Sequence, residues 1–343
     1  MKYLITGGGG FVGSNIAREV LNQGHELLVL DNFSRQGSKA NLDWLKKKGE
    51  FIFINEDIVN KNKLYSVFKG FRPDIIFHLA GQVAMTSSII DPLNDLEVNV
   101  SGTLNILESM RKYCPDSFMI FSSTNKVYGD LEYLNFIEDE KRFVCKEYPK
   151  GFNEDINLEF HSPYGCSKGA ADQYVQDYSR IYKLNTCVFR HSTMYGGRQF
   201  STSDQGWIGW FCKKGIEIQK GIEANALEIS GTGKQVRDIL YSSDVVDLYM
   251  TAAQNFNQLN GKAFNIGGGL GNSLSILELF TFLEEHLKIK IKFKKLPQRE
   301  SDQKVFISDN SKIFNILDWQ PKVSLKKGLI EQLNWLQKLP YED

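Results

Sequence analysis

Tyr164 and Lys168 stand four residues apart, so on a helix they share one face. A phenol beside an ammonium can move protons. Its ordinary pKa is about 10, so use as a base near neutrality takes about 4 kcal/mol of preferential phenolate stabilisation. The Lys168 ammonium supplies part of that field. Thr124, just past an apolar run, adds a hydroxyl that can bond to a substrate oxygen. The spacing alone proves nothing, because Tyr65 and Lys69 repeat it. Position decides: Tyr65 falls on a crossover before the fourth strand and is expected to pack. Tyr164 opens a helix after the fifth strand.

A second group binds rather than reacts. Thr6-Gly7-Gly8-Gly9-Gly10-Phe11-Val12-Gly13 joins a first strand to a first helix. Gly7, Gly10 and Gly13 permit a tight turn, close approach of a pyrophosphate, and close packing of helix on strand. The N–H groups that open the helix at Phe11 and Val12 offer a positive dipole end. Asp31 closes the second strand, where a carboxylate accepts from ribose hydroxyls and repels a 2′-phosphate. NAD is therefore expected over NADP, with nearby Arg35 blunting the preference. Asp57 and Ile58 follow the third strand, where the adenine would lie.

Helices and strands must alternate to position these groups. Apolar runs at Lys2–Thr6, Leu27–Leu30, Phe51–Ile54, Asp74–Leu79, Phe118–Phe121 and Thr186–Phe189 read as strands. Phe11–Gln23, Asp95–Arg111 and Ser162–Tyr182 read as helices. The pattern predicts an α/β chain: a Rossmann-type doubly wound parallel sheet with a smaller mixed α/β substrate lobe. The rhythm loosens after about residue 190, and Ala263–Ile266 reads as a returning strand. The expected division is 1–190 plus about 238–268 for the NAD-binding domain, and 191–237 plus about 269–335 for the substrate lobe.

Composition narrows the classes. The 343 residues are 42% hydrophobic and 24% charged, with 41 basic and 41 acidic side chains. A neutral chain without basic blocks is a poor nucleic-acid binder. No apolar run reaches a membrane span, and no signal core opens the chain. Five scattered cysteines without a C-x-x-C pair argue against disulfides and structural zinc. They are expected as reduced core residues in a cytoplasmic protein that holds no metal.

Thr6–Gly13, Asp31, Asp57, His78-Leu79-Ala80-Gly81, Asn99, Ser122-Ser123-Thr124, Tyr164-x-x-x-Lys168 and Arg190-x-x-x-x-Tyr195-Gly196 together resemble the extended short-chain dehydrogenase/reductase superfamily. The resemblance covers nearly the whole chain. It implies Tyr164 as base, Lys168 as its partner and Thr124 as the hydroxyl aid, with Asn99 steadying the region. It extends the NAD site to Asn32, Ser34, Arg35, Leu79, Ala80, Gly81, Gln82, Ser122 and His191.

Sugar dehydratases of that superfamily carry an acidic pair after the threonine, whereas Asn125 and Lys126 stand here. The strings Phe121–Asp130, His161–Tyr174, Arg190–Gln199 and Asp204–Phe211 resemble the 2-epimerase branch that acts on CDP-paratose and CDP-tyvelose. That implies a CDP-sugar partner, tightly held NAD, and hydride removal and return at carbon 2 through a 2-keto sugar, in O-antigen synthesis. Substrate contacts are expected from Thr124, Asn125, Lys126, Ser162, Arg198, Gln205, Trp207, Arg237 and Arg299, the last two on the diphosphate. Trp207 and Trp210 could flank the base or simply pack. A homodimer or homotetramer is expected, paired through Asp95–Arg111 and Ser162–Tyr182. The open alternatives are a UDP-hexose 4-epimerase, a reductase with free cofactor exchange and a silent NAD-binding sensor.

Overall fold

Seven parallel strands form the central sheet of the computed structural model, which describes residues 1–223, 225–299 and 301–339. Across the sheet the order is Lys262–Ile266, Asn185–His191, Phe118–Thr124, Ile75–His78, Lys2–Thr6, Glu26–Asp31 and Ile52–Asn55. The connection reverses between Lys2–Thr6 and Ile75–His78, which opens a crevice at the carboxyl ends of those strands.

Side chains alternate between the two faces, so each face feeds its own core. Ile5, Val29, Phe77 and Ile120 join one cluster with Ile16 of helix Phe11–Asn22 and Leu248 of helix Ser242–Gln254. Leu4, Leu28, Ile76 and Met119 join the other. Helices Lys61–Phe71, Gly102–Tyr113 and Ser162–Tyr182 cover that second face. This is the doubly wound arrangement that the alternation predicts.

A smaller assembly surrounds strand Val236–Tyr241, which pairs with Thr193–Tyr195, Ser273–Ser275 and Val305–Phe306. Helices Trp207–Gln219, Ile276–Leu287 and Leu325–Gln337 close its core around Ile208, Leu283 and Leu333. Residues 129–160 carry a short hairpin, Phe136–Glu138 with Phe143–Cys145. They pack through Leu131 and Phe152 onto Phe306.

Three local features differ from expectation. The helix expected at Asp95–Arg111 begins at Pro92–Leu96, passes through a π turn at Glu97–Ser101, and continues as Gly102–Tyr113. The strands Phe118–Thr124 and Asn185–His191 each run three residues longer than their apolar runs, because pairing rather than hydropathy sets their ends. Cys166 is exposed, while the other four cysteines are buried and all five are unpaired. Tyr65 packs edge-on against Tyr113 and takes a hydrogen bond from Lys112 Nζ, as its position implied.

Candidate active site

The glycine turn is locked by sterics. Gly7 has a φ of +69°, and a Cβ there would lie 2.8 Å from Ala80 N. A Cβ on Gly13 would lie 2.3 Å from Gly7 O. Only glycine permits this turn to press against Leu79 and Ala80. Gly10 caps helix Phe11–Asn22 without any side-chain hydrogen bond, so its cap leaves the first-turn N–H groups of Phe11, Val12 and Gly13 open to an anion. Asp31 is nearly buried and accepts from Gly9 N at 2.9 Å and Phe33 N at 2.8 Å. Burial pushes its carboxyl up, and those backbone bonds oppose the shift.

Beyond Asp31, Asn32 Nδ2 donates to Asp57 Oδ2 at 2.7 Å, and Ser34 N donates to Asn32 Oδ1. The two strand-end loops are thereby joined. Ile58 packs on Gly102, where a Cβ would lie 2.6 Å from Ile58 Cδ1. Burial lowers the Arg35 guanidinium, and the charge of Asp204 opposes this.

The reactive cluster forms where two long strands end together. Thr124 pairs with His191 across them. Ser162, at φ +63°, turns the chain into the helix that carries Tyr164 and Lys168. Tyr164 is buried, and burial pushes its phenol up to about 12, against a hydrogen bond with Thr124 that lowers it. Lys168 Nζ donates to Ser122 O at 2.6 Å and lies 4.1 Å from the Phe121 ring centre. Burial lowers the ammonium to about 7, while Asp172 and Asp95 oppose the fall. The protein by itself thus holds the phenol protonated, and Lys168 does not offset the burial as the spacing suggested.

Two histidines complete the floor. His78 Nε2 meets Thr103 Oγ1 at 3.0 Å, and that hydroxyl donates to Asn99 O. Nε2 must then carry the proton, and Nδ1 accepts from Thr6 Oγ1 at 2.8 Å. His191 Nε2 lies 3.0 Å from Tyr249 Oη, and Nδ1 is buried without a partner. Burial first, then the Lys168 charge, lowers both imidazoles to about 3, so both are neutral.

The π turn explains Asn99. Its Nδ2 donates to Gln82 O and to Ser167 Oγ at 3.0 Å each, and its Oδ1 accepts from Gln82 N at 3.0 Å. A Cβ on Gly81 would lie 2.9 Å from Asn99 Oδ1 and 3.8 Å from Lys168 Nζ. Uncapped amides, Asp31, the bare Gly81 and the orphaned His191 nitrogen make one cradle. The residues present fit a dinucleotide.

The substrate side is more self-engaged than the sequence suggested. Asn125 Nδ2 donates to Gln303 Oε1 at 2.7 Å. Lys126 Nζ donates to Ser301 O at 3.0 Å and lies 3.6 Å from Asp302. Burial lowers that ammonium to about 8. Arg237 donates to Asp302 Oδ1 at 2.6 Å and to two backbone carbonyls. Arg299 reaches Ser230 Oγ and Ser203 O, beside the Thr202–Gln205 turn.

Two candidates sit apart from these. The Arg198 guanidinium lies over Trp44 and Trp335, 4.8 and 5.8 Å from their ring centres, a different set of partners from Arg237 and Arg299. Trp207 and Trp210 pack on the smaller core. Sequence reasoning missed Asp95, Asp172, Asp302 and Gln303. The acidic residues looked like ordinary polar helix or loop positions, and only long-range contacts show their burial.

A family model described as GDP-mannose 4,6 dehydratase matches residues 4–332. The chain is 55% identical over 339 residues to a CDP-paratose 2-epimerase of Salmonella typhi, covering 99% of this chain and 100% of that one. It is 32% identical to a putative UDP-glucose 4-epimerase of Methanocaldococcus jannaschii over 97% of this chain and 98% of that one. Among solved structures, the UDP-glucose 4-epimerase of Thermotoga maritima with UDP-glucose matches at a TM-score of 0.84 and 29% identity, covering 98% and 99% of the two chains. A UDP-glucuronic acid 4-epimerase of Bacillus cereus, in complex with UDP-glucuronic acid and NAD, matches at 0.83 and 26%, covering 98% and 99%. The family match along residues 4–332 and the 55% identity along 99% of the chain place it in the extended short-chain dehydrogenase/reductase family.

Proposed function

We propose that this chain is an NAD-dependent sugar-nucleotide epimerase that interconverts CDP-paratose and CDP-tyvelose at carbon 2. One observation carries the reading: identity of 55% along 99% of the chain to a CDP-paratose 2-epimerase. The buried Thr124, Tyr164 and Lys168 cluster supports it.

Carbon 2 has no neighbouring carbonyl, so its C–H is not acidic and must leave as hydride. NAD, when bound, would supply the hydride-transfer chemistry at carbon 2. Tyr164 takes the proton of the 2-hydroxyl and later gives it back. Thr124 holds the sugar oxygen through its hydroxyl. Lys168 holds the nicotinamide ribose and keeps a positive charge beside the phenol. The 2-keto sugar turns over in the site and is reduced on its other face. Arg237 and Arg299 hold the diphosphate, so Asp302 must yield Arg237 to it. Asn125, Lys126, Ser162 and Gln205 line the sugar side.

The NAD-binding domain is read as 1–190 plus about 238–268, and the substrate lobe as 191–237 plus about 269–335. Ile89, Ile90 and Leu93 of neighbouring short helices, with Ile181 and Tyr182 of the Tyr164 helix, are exposed apolar residues that suit pairing with a second copy. No helix among the described residues is long and apolar enough to cross a membrane. The unpaired cysteines support a cytoplasmic setting.

Purified protein with CDP-paratose, followed by proton NMR, tests the reading. The 2-epimer should form, and carbon 2 should keep its hydrogen in heavy water. Absence of the 2-epimer, or full exchange of that hydrogen, defeats it.

A further inference from the structure

Asp95 stands one residue before the end of the helix Pro92–Leu96, just ahead of the π turn, and is fully buried. Its Oδ1 accepts from Gln82 Nε2 at 2.9 Å and from Asn99 Nδ2 at 3.3 Å. Its Oδ2 accepts a very short hydrogen bond from Ser167 Oγ. Burial raises its carboxyl, and these three neutral donors, with the Lys168 charge, oppose that rise. Asp172 makes the contrast clear: Arg190 neutralises it directly. A buried carboxylate with no cation in its hydrogen-bond shell is costly, so its charge must be answered nearby. Ser167 lies between Tyr164 and Lys168 on the same helix and brings Asp95 to that pair.

We infer that Asp95 is a positioning residue whose buried charge, aimed by Ser167 and the π turn, is a counter-charge that, beside Asp172, holds the Lys168 ammonium next to the Tyr164 phenol. This rests on the epimerase reading above. Asp95 is faced by Tyr164 and Lys168 from the helix Ser162–Tyr182. Around Lys168 stand Asp172, paired with Arg190, and the neutral His78 and His191. Residues 82–88 contribute the Gln82 amide and no charge, and Asp91 and Glu97 on Asp95's own element are exposed. After burial, the Asp95 charge is a further cause that raises the phenol, and it also supports the ammonium. Removing that charge therefore lowers both proton affinities together.

The test compares the wild-type holoenzyme with Asp95→Asn and Asp95→Glu. Both limbs of the kcat/KM pH profile should move to lower pH by about one unit in Asp95→Asn. Asp95→Glu should restore the wild-type position. Ultraviolet difference titration against Tyr164→Phe should show the phenol ionising at correspondingly lower pH, and needs no turnover. Absence of 2-epimerisation by wild type would sink the epimerase reading, while the titration would still judge Asp95. Slower turnover with unmoved limbs and an unmoved phenol overturns the inference. Asp95→Ser serves if Asp95→Asn does not fold. Collapse of both neutral variants while Asp95→Glu folds assigns Asp95 to stability alone and overturns it too.

Discussion

Arg190 grips Asp172 with two parallel hydrogen bonds: Nε and Nη2 each donate to a different carboxylate oxygen at 2.9 Å. Ser123 Oγ adds a third bond at 2.8 Å, and Arg190 Nη1 donates to Tyr128 Oη at 2.9 Å. This joins the strand end that carries Thr124 and His191 to the helix that carries Tyr164 and Lys168. It also reaches the 129–160 segment, because Tyr128 Oη donates to Asn265 Oδ1 and Asn265 Nδ2 donates to Phe152 O.

Breaking one side of that pair should be severe. Arg190→Met leaves Asp172 charged and buried, so stability should fall by about 3–5 kcal/mol. Chemical denaturation measures it. A loss below about 1 kcal/mol would mean that solvent reaches the pair and that it does not fix the helix.

Tyr164→Phe removes the acid–base oxygen and leaves the ring packing. Turnover should drop by about 10²–10⁴-fold while bound NAD stays near wild type. NMR of the epimerisation and cofactor content after denaturation report the two separately. Unchanged turnover would move the base elsewhere.

Gly13→Ala tests the turn itself. The added Cβ would meet Gly7 O at 2.3 Å, so backbone must shift. Overpacking of that kind costs about 1–3 kcal/mol, and NAD should be lost as the turn opens. Calorimetric titration of NAD into stripped protein reads this, and wild-type affinity in the variant would exclude a dinucleotide from the turn.

Acidity should also register at the start of the Tyr164 helix. His161 Nδ1 lies 2.8 Å from Asp130 Oδ2, and that bond, ahead of the opposing burial, raises the imidazole above its ordinary value. A raised folded value stabilises the protein below the unfolded pKa of about 6.5, and the gain fades as pH rises through the folded value. His161→Gln should flatten that part of the stability–pH curve in thermal melts. The curve would have to stay unchanged in the variant for this pair to be irrelevant.

Much of this was readable without coordinates. The glycine turn, Asp31, the strand–helix alternation and Thr124, Tyr164 and Lys168 are local signals, because turn geometry, hydropathy period and helical spacing are set by neighbours in the chain. The chain alone also carried the family resemblance. What only the tertiary structure decided is electrostatic. Whether Asp95 or Asp172 is a surface carboxylate or a buried charge depends on residues seventy-two or eighteen positions away. Whether Arg237 is free or held by Asp302 depends on a loop sixty-five residues on. Burial is a property of the packed interior, and it pushed the Tyr164 phenol up where spacing alone suggested that Lys168 would bring it down.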